Sequence, residues 1–332
     1  MGSVVQEGLK MKKFKTDYTK WVRLNGDRQN IRVVTNDKSN PVVLFVHGGP
    51  GVCDRHWVYN YQAERFVNAG YTIVMWDQRG SGKSYKYFRT RRADLCVNDY
   101  VEDCKALVEW LCKKFNKEKI VLIGHSWGTI IGTPFCKKYP EHIAAYIGQG
   151  QFVEGSENEL ISFNYCLEEA KKAGDKQIVK ALEGHAPVGG VYDDHKAMMA
   201  ERDALTKYGG AEWNNRGGLV DSLVKPFLKY DGYHLWDLPK YALGALYLTD
   251  VLWPEVVSGD YFKEVPELTM PVLMTIGRHD YNTPFEIAER WYDALKAPVK
   301  EWVWFEDSAH SPIKEEPEAW GEAVIDFLNR TV

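Results

Sequence analysis

No stretch of this 332-residue chain approaches the ~20 apolar residues that a membrane-spanning helix needs, so no membrane partner is expected. Its six cysteines (Cys53, Cys96, Cys104, Cys112, Cys136 and Cys166) form no CxxC pair and no metal-ligand spacing. That excludes a zinc motif and a disulfide framework, and points to a reduced, cytoplasmic protein. Excess positive charge is missing as well. The formal net charge is -4 and the lysines and arginines are scattered, which argues against a nucleic-acid partner. The first thirteen residues carry charge but no apolar centre, so they do not read as a cleaved signal peptide. Gln6 stands where a myristoylation pattern requires Ser or Thr.

What the chain does have is alternation. Trp21–Leu24 and Ile31–Thr35 read as a hairpin around Asn25-Gly26-Asp27. Val42–Val46, Tyr71–Trp76, Ile120–Ile123 and Ile143–Ile147 are continuous apolar runs, the signature of strands buried on both faces. Between two of them, Tyr100, Val101, Cys104, Leu107, Val108 and Leu111 recur at helical spacing. From about Gln151 to Pro266 the paired runs stop and helical periodicity takes over, clearest at Glu157–Ala173, Asp194–Tyr208 and Leu238–Leu252. Strand signals return at Val272–Ile276 and Lys300–Phe305, before a helix over Glu318–Leu328. The pattern predicts an α/β fold: a mostly parallel, doubly wound sheet with a helical cap inserted after the sixth strand. Residues 1–150 and 267–332 are the expected core, and 151–266 the expected cap.

The chemistry gathers where apolar runs end. Gly124-His125-Ser126-Trp127-Gly128 follows a buried strand and opens a helix, the context in which Gly-x-Ser-x-Gly holds a nucleophilic serine on a sharp turn. A serine hydroxyl needs a base, and the base needs an orienting acid. In open α/β sheets such groups collect at the carboxyl ends of strands. His310 follows the last strand and Asp280 the one before it, giving the order Ser126, Asp280, His310. His279 adjoins the acid and would have to point with it, and Asp307 shares the loop of His310, so both are weaker competitors. His125 reads as packing beneath the turn. Acyl transfer also needs two donors for the developing oxyanion, worth roughly 3 kcal/mol each. The Trp127 N–H is one, and Gly49 in His47-Gly48-Gly49-Pro50-Gly51 is the candidate for the other.

Together with Asp77-Gln78-Arg79-Gly80-Ser81-Gly82-Lys83-Ser84, these motifs resemble the prolyl iminopeptidase (proline aminopeptidase) family of α/β-hydrolases. The resemblance covers roughly residues 15–150 and 268–330. It implies an α/β-hydrolase fold, no cofactor, and cleavage of an N-terminal residue, often proline, from short peptides or small amides. It also implies Ser126, Asp280 and His310 as triad and Gly49 with Trp127 as oxyanion hole. Two departures bear on substrate. His125 stands where the family often has glycine, and the Trp-Glu pair with which family peptidases hold the substrate amine is missing from the cap. Glu157, Glu159, Glu201, Glu212 and Glu255 read as solvated helix-face acids. Gln149 and Gln151, at the mouth of a strand, and Glu154 are then the candidate substrate contacts. The alternative is a carboxylesterase, lactonase or amide hydrolase for a small apolar substrate, supported by the cap aromatics Tyr165, Tyr192, Trp213, Phe227, Tyr230, Tyr233, Trp236 and Tyr247. A non-catalytic ligand receptor on the same fold is a third possibility. Epoxide hydrolase and dehalogenase chemistry need a carboxylate nucleophile, which Ser126 excludes.

Overall fold

The computed structural model describes residues 13–87, 94–213 and 224–332. Residues 1–12, read above for targeting signals, lie outside them. Two antiparallel strands, β1 (Thr16–Leu24) and β2 (Asp27–Thr35), are joined by Asn25 and Gly26. Both turn residues have positive φ, 44° and 81°, as a two-residue turn matched to strand twist requires. Six further strands, β3 (Val42–Val46), β4 (Thr72–Asp77), β5 (Ile120–His125), β6 (Ile143–Gln149), β7 (Val272–Gly277) and β8 (Lys300–Phe305), run parallel to one another. The sheet order is β1-β2-β4-β3-β5-β6-β7-β8.

The apolar runs are buried on both faces, with alternate residues serving different cores. Val42, Leu44 and Val46 join one hydrophobic cluster, whereas Val43 and Phe45 join the other. Helix α1 (Val97–Phe115) buries the six positions its periodicity marked and ends at Asn116 in the left-handed conformation, φ 52°. Helix α2 (Trp127–Lys138) follows the serine motif on the same side of the sheet. β5 and β6 each run two residues past their apolar runs. Gly124 pairs with Gly148 and His125 with Gln149, so the ladder carries the motif residues to the end of the sheet.

Between β6 and β7 come the cap helices α3 (Gly155–Lys172), α4 (His195–Lys207) and α5 (Leu238–Ser258). α5 continues past Pro254 because Val256 and Val257 are buried beyond it. It packs against the loops that follow β3 and β4, made possible by small residues. A Cβ on Gly51 would stand 2.8 Å from the Ala245 backbone, and one on Gly244 would stand 2.5 Å from the Gly80 carbonyl. The chain closes with α6 (Phe285–Ala294) and α7 (Pro317–Thr331), the latter packed on the opposite face of the sheet. Among the described residues, no helix is long and apolar enough to cross a membrane.

Candidate active site

Ser126 sits between β5 and α2 with φ 53° and ψ −119°, a conformation that costs energy for a residue with a Cβ. The surroundings hold it there. Its N–H donates to the Gln149 carbonyl at 2.9 Å, and its own carbonyl accepts from Thr129 Oγ1 at 2.7 Å. The flanking glycines are sterically required: a Cβ on Gly128 would lie 2.0 Å from the Val46 carbonyl, and one on Gly124 would lie 2.7 Å from the Gly128 carbonyl. The hydroxyl is thereby presented at the head of a helix, partly exposed.

His310 and Asp280 come together as the strand order predicts. The imidazole Nδ1 lies 2.9 Å from Asp280 Oδ2 and 3.2 Å from Oδ1. Asp280 is fully buried and accepts from the Asn282 and Thr283 N–H groups at 3.0 and 2.9 Å, and from Thr283 Oγ1 at 3.0 Å. With Nδ1–H donating to the acid, Nε2 is left as an acceptor. Its lone pair receives the Asn282 side-chain amide at 3.0 Å, and no hydrogen bond joins it to Ser126 in this arrangement. Ser126, His310 and Asn282 nevertheless line one cavity, so the amide and the serine hydroxyl compete for the same lone pair. The weaker competitors are elsewhere. His279 stacks on Trp213 with ring centroids 3.3 Å apart, and Asp307 is exposed.

Gly49, with φ 129°, and Trp127, first residue of α2, both line a cavity with Ser126. An N–H at the first position of a helix has no intrahelical partner and is free for an oxyanion. Gln78 ties these two donors together. Its side chain accepts from Trp127 Nε1 at 2.8 Å and donates to the His47 carbonyl at 2.9 Å, while its N–H donates to His47 Nε2 at 3.2 Å. Burial keeps the His47 imidazole below its ordinary pKa, hence neutral, as accepting that bond demands. The residues flanking Gln78 are tied elsewhere: Asp77 pairs with Arg55 at 3.1 Å and accepts from Tyr233, and Arg79 forks onto the Asp103 carboxylate at 2.8 Å twice. His125 does more than pack. It joins Asp54 at 3.1 Å to the His310 carbonyl at 3.3 Å. Burial alone would raise the Asp54 carboxyl, but the hydrogen bond from His125 and the imidazoles around it outweigh that and hold it low.

Neither glutamine side chain, nor that of Glu154, bonds to the Ser126 hydroxyl. Gln151 is consumed inside the protein, bonded to Tyr146 at 2.9 Å, Thr133 at 3.2 Å and the Phe152 carbonyl at 2.6 Å. Gln149 is 1% exposed and contributes its backbone carbonyl, and Glu154 caps α3 by accepting from the Glu157 N–H. None of the three lines either of the two cavities at Ser126 formed by the described residues. The residue of that segment which does touch the site is Gly150: with φ 53°, its Cβ would stand 2.7 Å from His310 Cε1.

The acids read as solvated helix faces include two that are buried. Glu159 on α3 and Glu201 on α4 are 2% and 0% exposed. Arg202 lies between them. It holds both Glu159 oxygens at 2.7 Å, pairs with Glu201, and has its guanidinium 5.5 Å from the Trp253 ring centroid. Burial raises the Glu159 carboxyl above the usual range, with Arg202 opposing and Glu201 adding to the rise. Glu159, Arg202 and Asn158 line the same cavity of about 180 Å³ as Ser126, Gly49 and Trp127, among apolar walls that include Ile130, Met198 and Trp253. Glu201 accepts from Ser162 at 2.6 Å. Of the cap aromatics, Phe227, Tyr230 and Tyr233 pack with Cys53 in a separate cluster.

Comparison with known proteins shows the family and the fold. The family described as serine aminopeptidase, S33, matches residues 37–208. The chain is 30% identical over 300 residues to the probable aminopeptidase YbaC of Bacillus subtilis strain 168, covering 90% of this chain and 92% of that protein. It is 24% identical over 311 residues to a proline iminopeptidase of Heyndrickxia coagulans, covering 93% and 98%. Among solved structures, the proline iminopeptidase of Mycobacterium smegmatis matches with a TM-score of 0.61 at 16% identity, over 95% of this chain and 98% of that one, a likeness of fold.

Proposed function

We propose, from the premise that the chain belongs to the serine aminopeptidase S33 family of α/β-hydrolases, that it removes an N-terminal residue from short peptides or small amides, as a proline iminopeptidase does. The observation that carries this reading is the single cavity in which Ser126 faces cap residues Glu159 and Arg202. Two carboxylates and one guanidinium leave that cluster one negative charge, suited to an N-terminal ammonium. In the reaction, His310 Nε2 gives up the Asn282 amide and takes the Ser126 proton as Oγ attacks the scissile carbonyl. Asp280 holds the ring and stabilises its positive charge, while the Gly49 and Trp127 N–H groups receive the oxyanion. His310 then protonates the leaving amine, and water, deprotonated by the same imidazole, releases the acyl group.

The esterase reading retains one support: Arg202 already compensates Glu159, and the remaining cavity wall is largely apolar. Proline and alanine arylamides assayed beside p-nitrophenyl acetate separate the two. Arylamine release is the expected result, falling by about 10⁴-fold or more in Ser126→Ala. Acetate hydrolysis with no arylamide turnover would leave the esterase reading standing alone.

A further inference from the structure

Ser126 faces a second cavity, of about 350 Å³, on the side where His310 lies. The leaving amine takes its proton from His310, so it must depart on that side. The floor there includes Lys314, which none of the steps above uses. Lys314 belongs to the short turn Pro312–Glu315, just beyond His310. Its side chain is only 7% exposed, and its ammonium lies 4.4 Å from the Trp57 ring centroid. Among the described residues its one hydrogen-bond partner is the Glu212 carboxylate.

An ammonium has three donors, so two remain unused beside the cavity. Leaving a charged group buried and incompletely bonded is costly. Burial indeed pushes the Lys314 ammonium down to about 8, with the Glu315 carboxylate opposing that fall. The group that would complete its shell is an anion entering from the leaving-group side. In a short peptide substrate, one anion occupies that end by necessity: the C-terminal carboxylate of the leaving portion.

We propose that Lys314 binds the C-terminal carboxylate of the departing amino acid or dipeptide, making the enzyme selective for di- and tripeptides with a free carboxyl end. The proposal rests on the aminopeptidase reading. Trp57 forms the apolar wall beside the carboxylate, and Glu212 tempers the site by holding one donor and repelling a second anion. A Lys314 that served only to tether Glu212 of the cap to the core would show no such selectivity.

The test is the ratio of kcat/KM for a peptide to that for its C-terminal amide, measured with prolyl-glycine and prolyl-glycyl-glycine. Each variant supplies its own reference, so a loss of folded protein does not change the ratio. Wild type should favour the free acid by about tenfold or more at one of the two lengths. Lys314→Met should bring that ratio to within about twofold of one, Lys314→Arg should keep most of it, and Glu212→Gln should raise it. A wild-type ratio near one, or an unchanged ratio in Lys314→Met, while proline arylamide is still cleaved, would overturn the carboxylate site alone. Absence of turnover on peptides and arylamides alike would remove the aminopeptidase reading, and the site with it.

Discussion

The sheet end and the cap both bury charge against Ser126, but they hold it differently. On the sheet side, the groups are fixed largely by backbone N–H and carbonyl groups. Asp280 is bound by the N–H groups of Asn282 and Thr283, and the loop that carries Gly49 is held by Gln78, which donates to the His47 carbonyl. In the cap, Glu159, Glu201 and Arg202 are held mainly by one another, across two helices more than a helix length apart in the chain. The first arrangement is imposed by backbone geometry. The second depends on how α3 and α4 rotate against each other, so it can change with little consequence for the catalytic end.

The sharpest way to break the sheet side is at Gly150. A Cβ there would stand 2.7 Å from His310 Cε1 and 2.8 Å from Nδ1, on a residue with φ 53°. Moving the imidazole by a fraction of an ångström misaligns both proton transfers, so Gly150→Ala should lower kcat at least about 10²-fold on amide and ester substrates alike. The strain of a side chain at that φ adds only about 1 kcal/mol to the loss of stability. Full activity in the folded variant would show that the imidazole has slack that the packing denies.

The cap should respond selectively instead. Glu159→Gln keeps shape but removes one charge, and a charge-assisted hydrogen bond is worth about 2 kcal/mol. Turnover of proline arylamide should fall about 30-fold in kcat/KM, and that of p-nitrophenyl acetate, which has no amine, far less. An equal fall on both would mean that Glu159 orders the cap without choosing the substrate.

The same contrast explains what could be read beforehand. Ser126, Asp280 and His310 were legible because strand ends are visible as the ends of apolar runs, and the sheet brings those ends together whatever lies between. Trp127 was proposed as an oxyanion donor from its place at the head of a helix and Gly49 from the glycines of its loop, and both line a cavity with Ser126. Gln149 and Gln151 were misjudged because position at a strand mouth does not fix direction. Gln151 points into the protein, onto Tyr146 and Thr133, and the useful member of that segment is the glycine between them. Glu159 and Glu201 were unreadable for a different reason. A lone glutamate on a helix favours solvent, and only Arg202, next to Glu201 on one helix and facing Glu159 from the other, makes their burial tolerable. Asn282 escaped notice because its role depends on the Asx-type turn at Asp280 aiming it at His310.

His56 lies at the seam between the two regions and is handled in neither way. It is fully buried between Trp57 of the core and Phe227 and Tyr241 of the cap, and among the described residues neither ring nitrogen has a hydrogen-bond partner. Burial lowers its pKa from 6.5 to about 3, with the nearby Asp54 carboxylate opposing the fall. Between those values the unfolded chain binds a proton that the folded chain refuses. Stability is therefore intact above pH 6.5 and drains away as the pH falls through the window. From pH 7 to pH 5 the loss is about 2 kcal/mol, at 1.36 kcal/mol per pH unit below 6.5. His56→Phe should remove that slope while keeping an aromatic ring at the seam. Urea unfolding at pH 7 and pH 5 measures it: the variant's stability should change less between the two than that of the wild type by about this amount. An undiminished acid slope in His56→Phe would place the proton uptake elsewhere and mean that the seam, like the cap, shelters a charge after all.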